Sequence, residues 1–468
     1  MNFFDAIRDR NALYAPNAAV RTSEGAISYG SLLQQVERLA DVFRQFGLVP
    51  GNCLGVVDRN SPEFIIAMLA GLKCDAVVLP IASNLTASEQ EQLIHEAGLH
   101  AVLRESASGA VVIGVRIYAL KLFTREQPRI APHVPDAAFI RFTSGTTGTS
   151  KGVIIGHRSV IERVEAANKG LQLGPGDAVV WVLPMAYHFV VSVMLYLYHG
   201  ATIVLSEDFT AKQIVRAAEA SNAVLLYAAP MHVRLLVSDP TCTSLGPLQR
   251  VISTSAGSSP ELCASFFKKF GLPVSQAFGI IEVGLPIINL RSATEHPEAV
   301  GHALPDFEVA ILDDALHPIP DGAVGQLALR GPGMFDGYLA PPVLRGDILR
   351  DGWFLTGDLA TRGADGLITV RGRSKSMINV AGNKVFPEEV EAVINVHPFV
   401  VGSRVRGGAH ALLGEIVEAD VVLKADVVLD VEDLIAHCRK HLTVHKLPQR
   451  IHFVQTLEMT ATGKVKRG

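Results

Sequence analysis

Residues 178–206, AVVWVLPMAYHFVVSVMLYLYHGATIVLS, contain no acidic or basic side chain apart from two histidines. A membrane span needs about 20 consecutive apolar residues, so such a run either crosses a bilayer or is buried inside protein. Pro184, Tyr187, His188 and the pair His199-Gly200 divide it into three pieces. These read as a strand over 178–183, a helix over about 189–198 and a second strand over 201–205. Strands apolar on both faces belong to parallel sheets covered by helices. The run is therefore read as core, and no membrane span is expected.

The same rhythm recurs. CLGVVD precedes the helical SPEFIIAMLAGLKC, which Ser61 caps and Pro62 opens, and AVVLP follows. AVLLYAA precedes PMHVRLLVSD, and RVISTSAG precedes SPELCASFFKKFG. Strand, helix and strand joined by short loops predict an α/β fold with right-handed crossovers, and a site on the loops at strand C-terminal ends. From about residue 300 the texture changes. FEVAILDD, GAVGQLALRG and GLITVRGR are short strands between turn signals, which predict an antiparallel, barrel-like region. After Arg373 a helix with Pro387 and two acids in its first turn, two strands and the helix VEDLIAHCRKHL predict a small α+β domain. The expected division is 1–373, with its barrel-like part at about 300–373, and 374–468.

A chain of 468 residues exceeds one ordinary core. Its 42 basic and 46 acidic residues nearly balance, so nothing points to nucleic acid or an anionic membrane as a partner. Five scattered cysteines without a C-x-x-C pair read as reduced thiols, and MNFFDAIRDRN lacks a signal-peptide core; a cytoplasmic location is expected.

Residues 142–152, FTSGTTGTSKG, hold three glycines, six hydroxyl side chains and Lys151. Glycines let backbone N–H groups approach an oxyanion, hydroxyls add donors and lysine adds charge. A Ser/Thr-rich surface turn has the same composition. Glycines at 145, 148 and 152 fail the G-x-x-x-x-G-K-[ST] spacing, and no G-x-G-x-x-G occurs there. The string TSGTTGTSKG closely resembles the phosphate loop of acyl-adenylate-forming enzymes: acyl- and aryl-CoA synthetases, nonribosomal peptide adenylation domains and firefly luciferase. QAFGIIEVG (276–284), GWFLTGDLA (352–360), GRSKSMINVAGNKVFPEEVEAV (372–393) and TATGKVKR (460–467) resemble that family's further motifs, in its order. The resemblance runs from about residue 27 to the end.

The resemblance implies that a carboxylate joins ATP, releases pyrophosphate and passes as acyl-AMP to a thiol, coenzyme A or a carrier-protein phosphopantetheine. Repulsion between anions is the main obstacle, and preorganised donors and cations are the remedy. Thr143, Ser144, Gly145, Thr146, Thr147, Gly148 and Lys151 are implied phosphate contacts. Glu282 is the implied Mg2+ ligand. Ser255, Ala256, Gly257 and Ser258 would shape the adenine wall, with Phe278 stacking on the base and Gly279 and Ile281 in the same motif. Asp358 would accept from both ribose hydroxyls, with Arg373 nearby. Lys464 would bridge the carboxylate and the α-phosphate. Lys375 takes the hinge position of a mobile C-terminal domain whose Ala381-Gly382 would line the pantetheine channel. Taken singly, Asp358 reads as a turn residue, Phe278 as core and Lys464 as a solvated tail residue; only the motifs assign them roles.

Two departures stand out. Ile281 replaces a threonine, removing a hydroxyl worth roughly 1.5–3 kcal/mol if it bonds a charged group. Glu458 replaces a proline before the last motif. The chain ends four residues after Lys464, so no C-terminal thiolation domain is expected. For the acid, PMAYHF places Tyr187 and His188 at the implied pocket, with Tyr227, Gly257, Val283, Gly284 and Leu285; His188 equally suits a core position. The lining is largely apolar and lacks an acidic residue for an α-amine, so an aryl or medium acyl acid is expected. A carrier-loading enzyme is the close alternative. A non-catalytic acyl-AMP-binding protein and an ADP-forming phosphotransferase are the others.

Overall fold

In the computed structural model, which describes residues 1–123, 133–142, 151–206, 208–410, 412–459 and 465, the uncharged run is core. Ala178–Trp181 and Thr202–Leu205 are adjacent parallel strands, paired from Ala178↔Thr202 to Trp181↔Leu205. The first strand ends two residues short of the expected 183, and helix begins at Met185 rather than near 189. Pro184 and Asn60 account for the change. Pro184 holds an extended backbone as N-cap, while Asn60 donates to the Leu183 carbonyl (2.8 Å) and accepts from the Met185 N–H (2.7 Å). A wide π-helical turn, Phe189–Val193, interrupts the helix. Among the described residues no helix is long and apolar enough to cross a membrane.

Two nine-stranded sheets carry the large unit. One places Val274–Ile280, Arg250–Ser253, Leu225–Ala228, Ala178–Trp181, Thr202–Leu205 and Ala18–Thr22 side by side in parallel. The other centres on parallel Ala137–Phe142, Val77–Ala82, Cys53–Asp58 and Ala101–Glu105. Ser61 caps Pro62–Lys73 and Ser259 caps Pro260–Phe270, each side chain accepting a backbone N–H three residues on. One hydrophobic cluster is shared by both sheets: Phe189 packs on Phe64 and Phe139, ring centroids 5.5 and 6.3 Å away. In the first sheet the parallel strands bring the residues after Trp181, Ala228 and Ser253 to one end.

Glu308–Leu312, Gly325–Arg330, Phe354–Arg362 and Ile368–Arg373 form a four-stranded antiparallel sheet in chain order. It begins at Glu308, because His302–Ala303 still pairs with Gly284–Ile288 at the edge of a large sheet. Residues 378–453 build a five-stranded sheet with helices Pro387–Val396 and Val431–Arg439 over a separate hydrophobic core that includes Val390, Val417 and Leu434. The two parts touch at Gly372, where an added Cβ would lie 2.6 Å from Glu388 Oε2 and 3.2 Å from the Phe386 ring.

Candidate active site

The phosphate-loop residues join two antiparallel strands, paired Phe142↔Gly152, rather than a strand and a helix. Thr143, Ser144, Gly145, Thr146, Thr147 and Gly148 lie outside the described residues, as does Lys464. Lys151, at the loop's far end, is exposed with its Nζ 4.8 Å above the centre of the Tyr338 ring. Tyr338 is fixed there because Gly337–Tyr338 pairs with Gly152–Gly156, and its hydroxyl donates to Glu282 Oε1 at 3.3 Å. Sequence reading missed Tyr338, which stands in no recognised motif.

Glu282 sits at the tip of the hairpin Val274–Ile280/Gly284–Ile288, whose close is the pair Ile280↔Gly284. Gly284 has φ +99°, which favours glycine, and at Gly279 a Cβ would lie 3.0 Å from the Gly284 carbonyl, a tight approach. Val283 and Leu285 are buried, and Phe278 is half-buried and packs on the main cluster. The tip is held by its backbone. Arg163, 1% exposed, donates from Nη1 to the Ile281 carbonyl (3.0 Å) and from Nε to that of Gly333 (2.8 Å). Phe335 N–H donates to the Glu282 carbonyl (2.7 Å). Burial pulls the Arg163 pKa down to about 10, so it stays charged near neutrality. Burial raises the Glu282 pKa, opposed by the Tyr338 hydrogen bond and by the charges of Arg373 and Lys151.

Mg2+ is commonly held by one or two carboxylates together with phosphates and water. No group of three or more acidic, His or Cys side chains that could hold a metal occurs among the described residues. A single carboxylate hemmed in by protein, with a hydroxyl donor and two cations in reach, fits that mode.

Beyond Ser253 the chain makes a tight loop in which Ser255 takes φ +73°, Ala256 and Gly257 are exposed and Ser258 is buried. Gln276 clamps it: Oε1 accepts from Ser258 N–H (2.8 Å), while Nε2 donates to the Ser258 carbonyl (3.2 Å) and to that of Pro297. Gln276 lay inside a recognised motif, but only the structure gives it this task.

His188 Nε2 lies 3.4 Å from Ser255 Oγ, and its ring meets Trp181 and Tyr227 edge-on at 5.7 and 6.3 Å. Trp181 and Tyr227 are stacked, 5.7 Å apart. Tyr196, brought inward by the helix with the π turn, completes this cluster with Ser192 beside it, and Trp181 Nε1 is buried without a hydrogen-bond partner among the described residues. His188 and Tyr227 thus meet. Tyr187 points elsewhere: its ring lies under the guanidinium of Arg141, 4.5 Å from Cζ to centroid. Arg141 also escaped sequence reading, because it lies in the strand before the phosphate loop.

Asp358 and Arg373 face each other across paired strands, with Nε–Oδ1 at 2.8 Å; the Asp358 side chain is 7% exposed and that of Arg373 51%. Arg373 also donates to the Thr356 carbonyl (3.2 Å). Lys375 follows on an exposed helical turn, where Ser374 donates to the Gly357 carbonyl (3.2 Å). Ala381 and Gly382, both at positive φ, turn a two-residue hairpin.

This combination of fold and site is that of an adenylate-forming enzyme. The chain belongs to the AMP-binding enzyme family: that family's model matches residues 7–339, and the AMP-binding enzyme C-terminal domain matches 389–464. It is 28% identical over 467 residues to sulfoacetate–CoA ligase of Cupriavidus necator, covering 94% of this chain and 91% of that protein. It is 27% identical over 475 residues to feruloyl-CoA synthase of an Amycolatopsis species, covering 98% and 96%. The crystal structure of ATP-bound MatB from Rhodopseudomonas palustris superposes with a TM-score of 0.85 at 25% identity, over 99% of this chain and 97% of that one.

Proposed function

We propose that the chain is an AMP-forming acid–CoA ligase acting on an aryl or medium acyl acid without an α-amine. One observation carries this reading: the Tyr338 hydroxyl donates to Glu282 Oε1 at 3.3 Å while Lys151 Nζ stands 4.8 Å above the same ring. One side chain thus links the base of the phosphate loop to the proposed metal turn, more than 100 residues away in the chain.

In the first step a carboxylate oxygen attacks the α-phosphorus of ATP. The bond to the bridging oxygen breaks, and pyrophosphate leaves with that electron pair. Lys151 and residues 143–148 hold the β- and γ-phosphates, and Lys464 meets the charge growing between carboxylate and α-phosphate. Asp358 and Arg373 fix the ribose, while Phe278 and the 255–258 loop hold the base. Glu282 binds Mg2+, which neutralises phosphate charge when bound. In the second step a thiol sulfur attacks the acyl carbon, its proton is lost to solvent, and AMP leaves. The residues from 374 onward rotate about Lys375 between the steps, bringing Ala381-Gly382 to the thiol channel. The stacked Trp181 and Tyr227 with His188 favour a flat or apolar acid body. Five free, buried cysteines support a cytoplasmic setting.

The test is ATP–pyrophosphate exchange with benzoate, cinnamate, indoleacetate, hexanoate and octanoate, repeated with Lys464→Ala. Acid-dependent exchange that falls by about two orders of magnitude or more in the variant is expected. No exchange with any acid sinks the enzymatic reading and favours an acyl-AMP-binding protein. Comparing CoA with a holo-carrier protein as acceptor then tests the proposed thiol.

A further inference from the structure

Arg141 is the penultimate residue of the strand Ala137–Phe142, two positions before the first phosphate-loop threonine. Its side chain is only half-buried, yet burial pulls its pKa down to about 10. Nη1 donates to the neighbouring Phe142 carbonyl at 2.6 Å, and the guanidinium plane is held against Tyr187. Among the described residues no carboxylate forms an ion pair with it. A desolvated cation stacked on an aromatic face, whose Nε and Nη2 make no hydrogen bond among the described residues, is prepared for a planar anion.

The position says which anion. The two ends of the phosphate-loop hairpin carry one cation each, and the two lie over different aromatic rings. Lys151 turns toward Tyr338 and the Glu282 metal turn, on the pyrophosphate side. Arg141 turns toward Tyr187 on the segment Met185–His188, whose next residue, His188, belongs to the Trp181/Tyr227 cluster. Arg141 therefore lies on the strand that leads into the loop proposed to take triphosphate, and against the segment that also carries His188. A carboxylate is planar and accepts two parallel N–H donors, which matches a guanidinium. We propose that Arg141, held flat by Tyr187, binds the carboxylate of the incoming acid and holds it beside the phosphate loop before adenylation. The cation offsets repulsion between carboxylate and triphosphate in the ground-state complex, and it is released when the carboxylate becomes an acyl phosphate.

This rests on the ligase reading above and deepens it. The full-length chain is assayed by ATP–pyrophosphate exchange with the same five acids, comparing wild type with Arg141→Met, Arg141→Lys and Tyr187→Leu. Losing charge-assisted bonds to the carboxylate raises KM for the acid roughly ten- to a hundredfold in Arg141→Met. KM for MgATP should stay within about threefold, Arg141→Lys should recover part of the loss, and Tyr187→Leu should fall between. An acyl-sulfamoyl adenosine, which has no free carboxylate, should bind Arg141→Met nearly as tightly as wild type. A matching rise in KM for MgATP would make Arg141 a phosphate contact and overturn the proposal. So would unchanged KM for the acid alongside a lowered melting temperature, which would make it a packing residue. If the wild type exchanges with none of the acids, the ligase reading fails by itself. Calorimetric titration with benzoate then decides: saturable binding lost in Arg141→Met supports the carboxylate site, and binding that is absent or equal in both proteins refutes it.

Discussion

Asp358→Asn separates a structural acid from a nucleotide-binding one. The substitution keeps shape and removes charge. Its ion pair with Arg373 spans a buried carboxylate and a half-exposed guanidinium, and exposed pairs contribute about 0–1 kcal/mol. Asparagine also no longer requires a charge to be buried, which offsets part of that loss. The fold should therefore shift by no more than about 1 kcal/mol, read as a melting change within about 2 °C. The effect on ATP should be larger. A carboxylate can accept from both ribose hydroxyls, whereas asparagine presents one acceptor oxygen and an NH2 group. Losing one charge-assisted hydrogen bond costs about 1.5–3 kcal/mol, so kcat/KM for ATP should fall roughly ten- to a hundredfold. The assay is pyrophosphate exchange at varied ATP and saturating acid, beside a thermal melt. A melting loss of many degrees with unchanged kcat/KM for ATP would refute the reasoning and leave Asp358 a structural ion-pair residue.

Three further outcomes are expected. Tyr338→Phe removes a donor to the Glu282 carboxylate, so the already raised Glu282 pKa rises further; the acid limb of the exchange–pH profile should move to higher pH and apparent Mg2+ affinity at fixed pH should fall, and a shift to lower pH would contradict this. Gln276→Leu leaves the buried Ser258 N–H without a partner, a loss of about 1–3 kcal/mol by denaturant unfolding, with a raised KM for ATP; unchanged stability would show that the 254–258 loop does not depend on this clamp. Burial lowers the pKa of His199 from 6.5 to about 4. The unfolded chain takes up that proton first, so His199 favours folding above pH 6.5 and this contribution is lost as pH falls toward 4. His199→Gln should flatten melting temperature against pH in that window, and an unaltered slope would exclude His199 as its source.

The parallel strands were readable because burial on both faces forces continuous apolar runs; 178–206 shows this most clearly. Ser61 was readable as a cap because a cap is a local arrangement of one side chain and the next turn. The end of the strand at Trp181 was not, since it depends on Asn60, more than 120 residues away. The site divides in the same way. Glu282, Asp358 and Arg373 stood in strings long enough to be distinctive, and the structure pairs the last two across neighbouring strands. Tyr338, Gln276 and Arg141 are single residues whose meaning lies in what they face. Tyr187 and His188, read together as neighbours in sequence, point to different surroundings because successive helical residues diverge by about 100°.

The buried Arg163 changes what the isoleucine at 281 signifies. Arg163 grips the turn through the Ile281 carbonyl, an atom every amino acid supplies. The path of the backbone into Glu282 is thus held through an atom that does not depend on residue type, while the Ile281 side chain packs on the main hydrophobic cluster. A lost hydroxyl there removes one contact and leaves the scaffold intact. Loss of activity through this turn should follow more readily from changes at Arg163 or at Gly333, where a Cβ would lie 2.3 Å from Arg163 N. Neither residue stands in the motif that draws the eye.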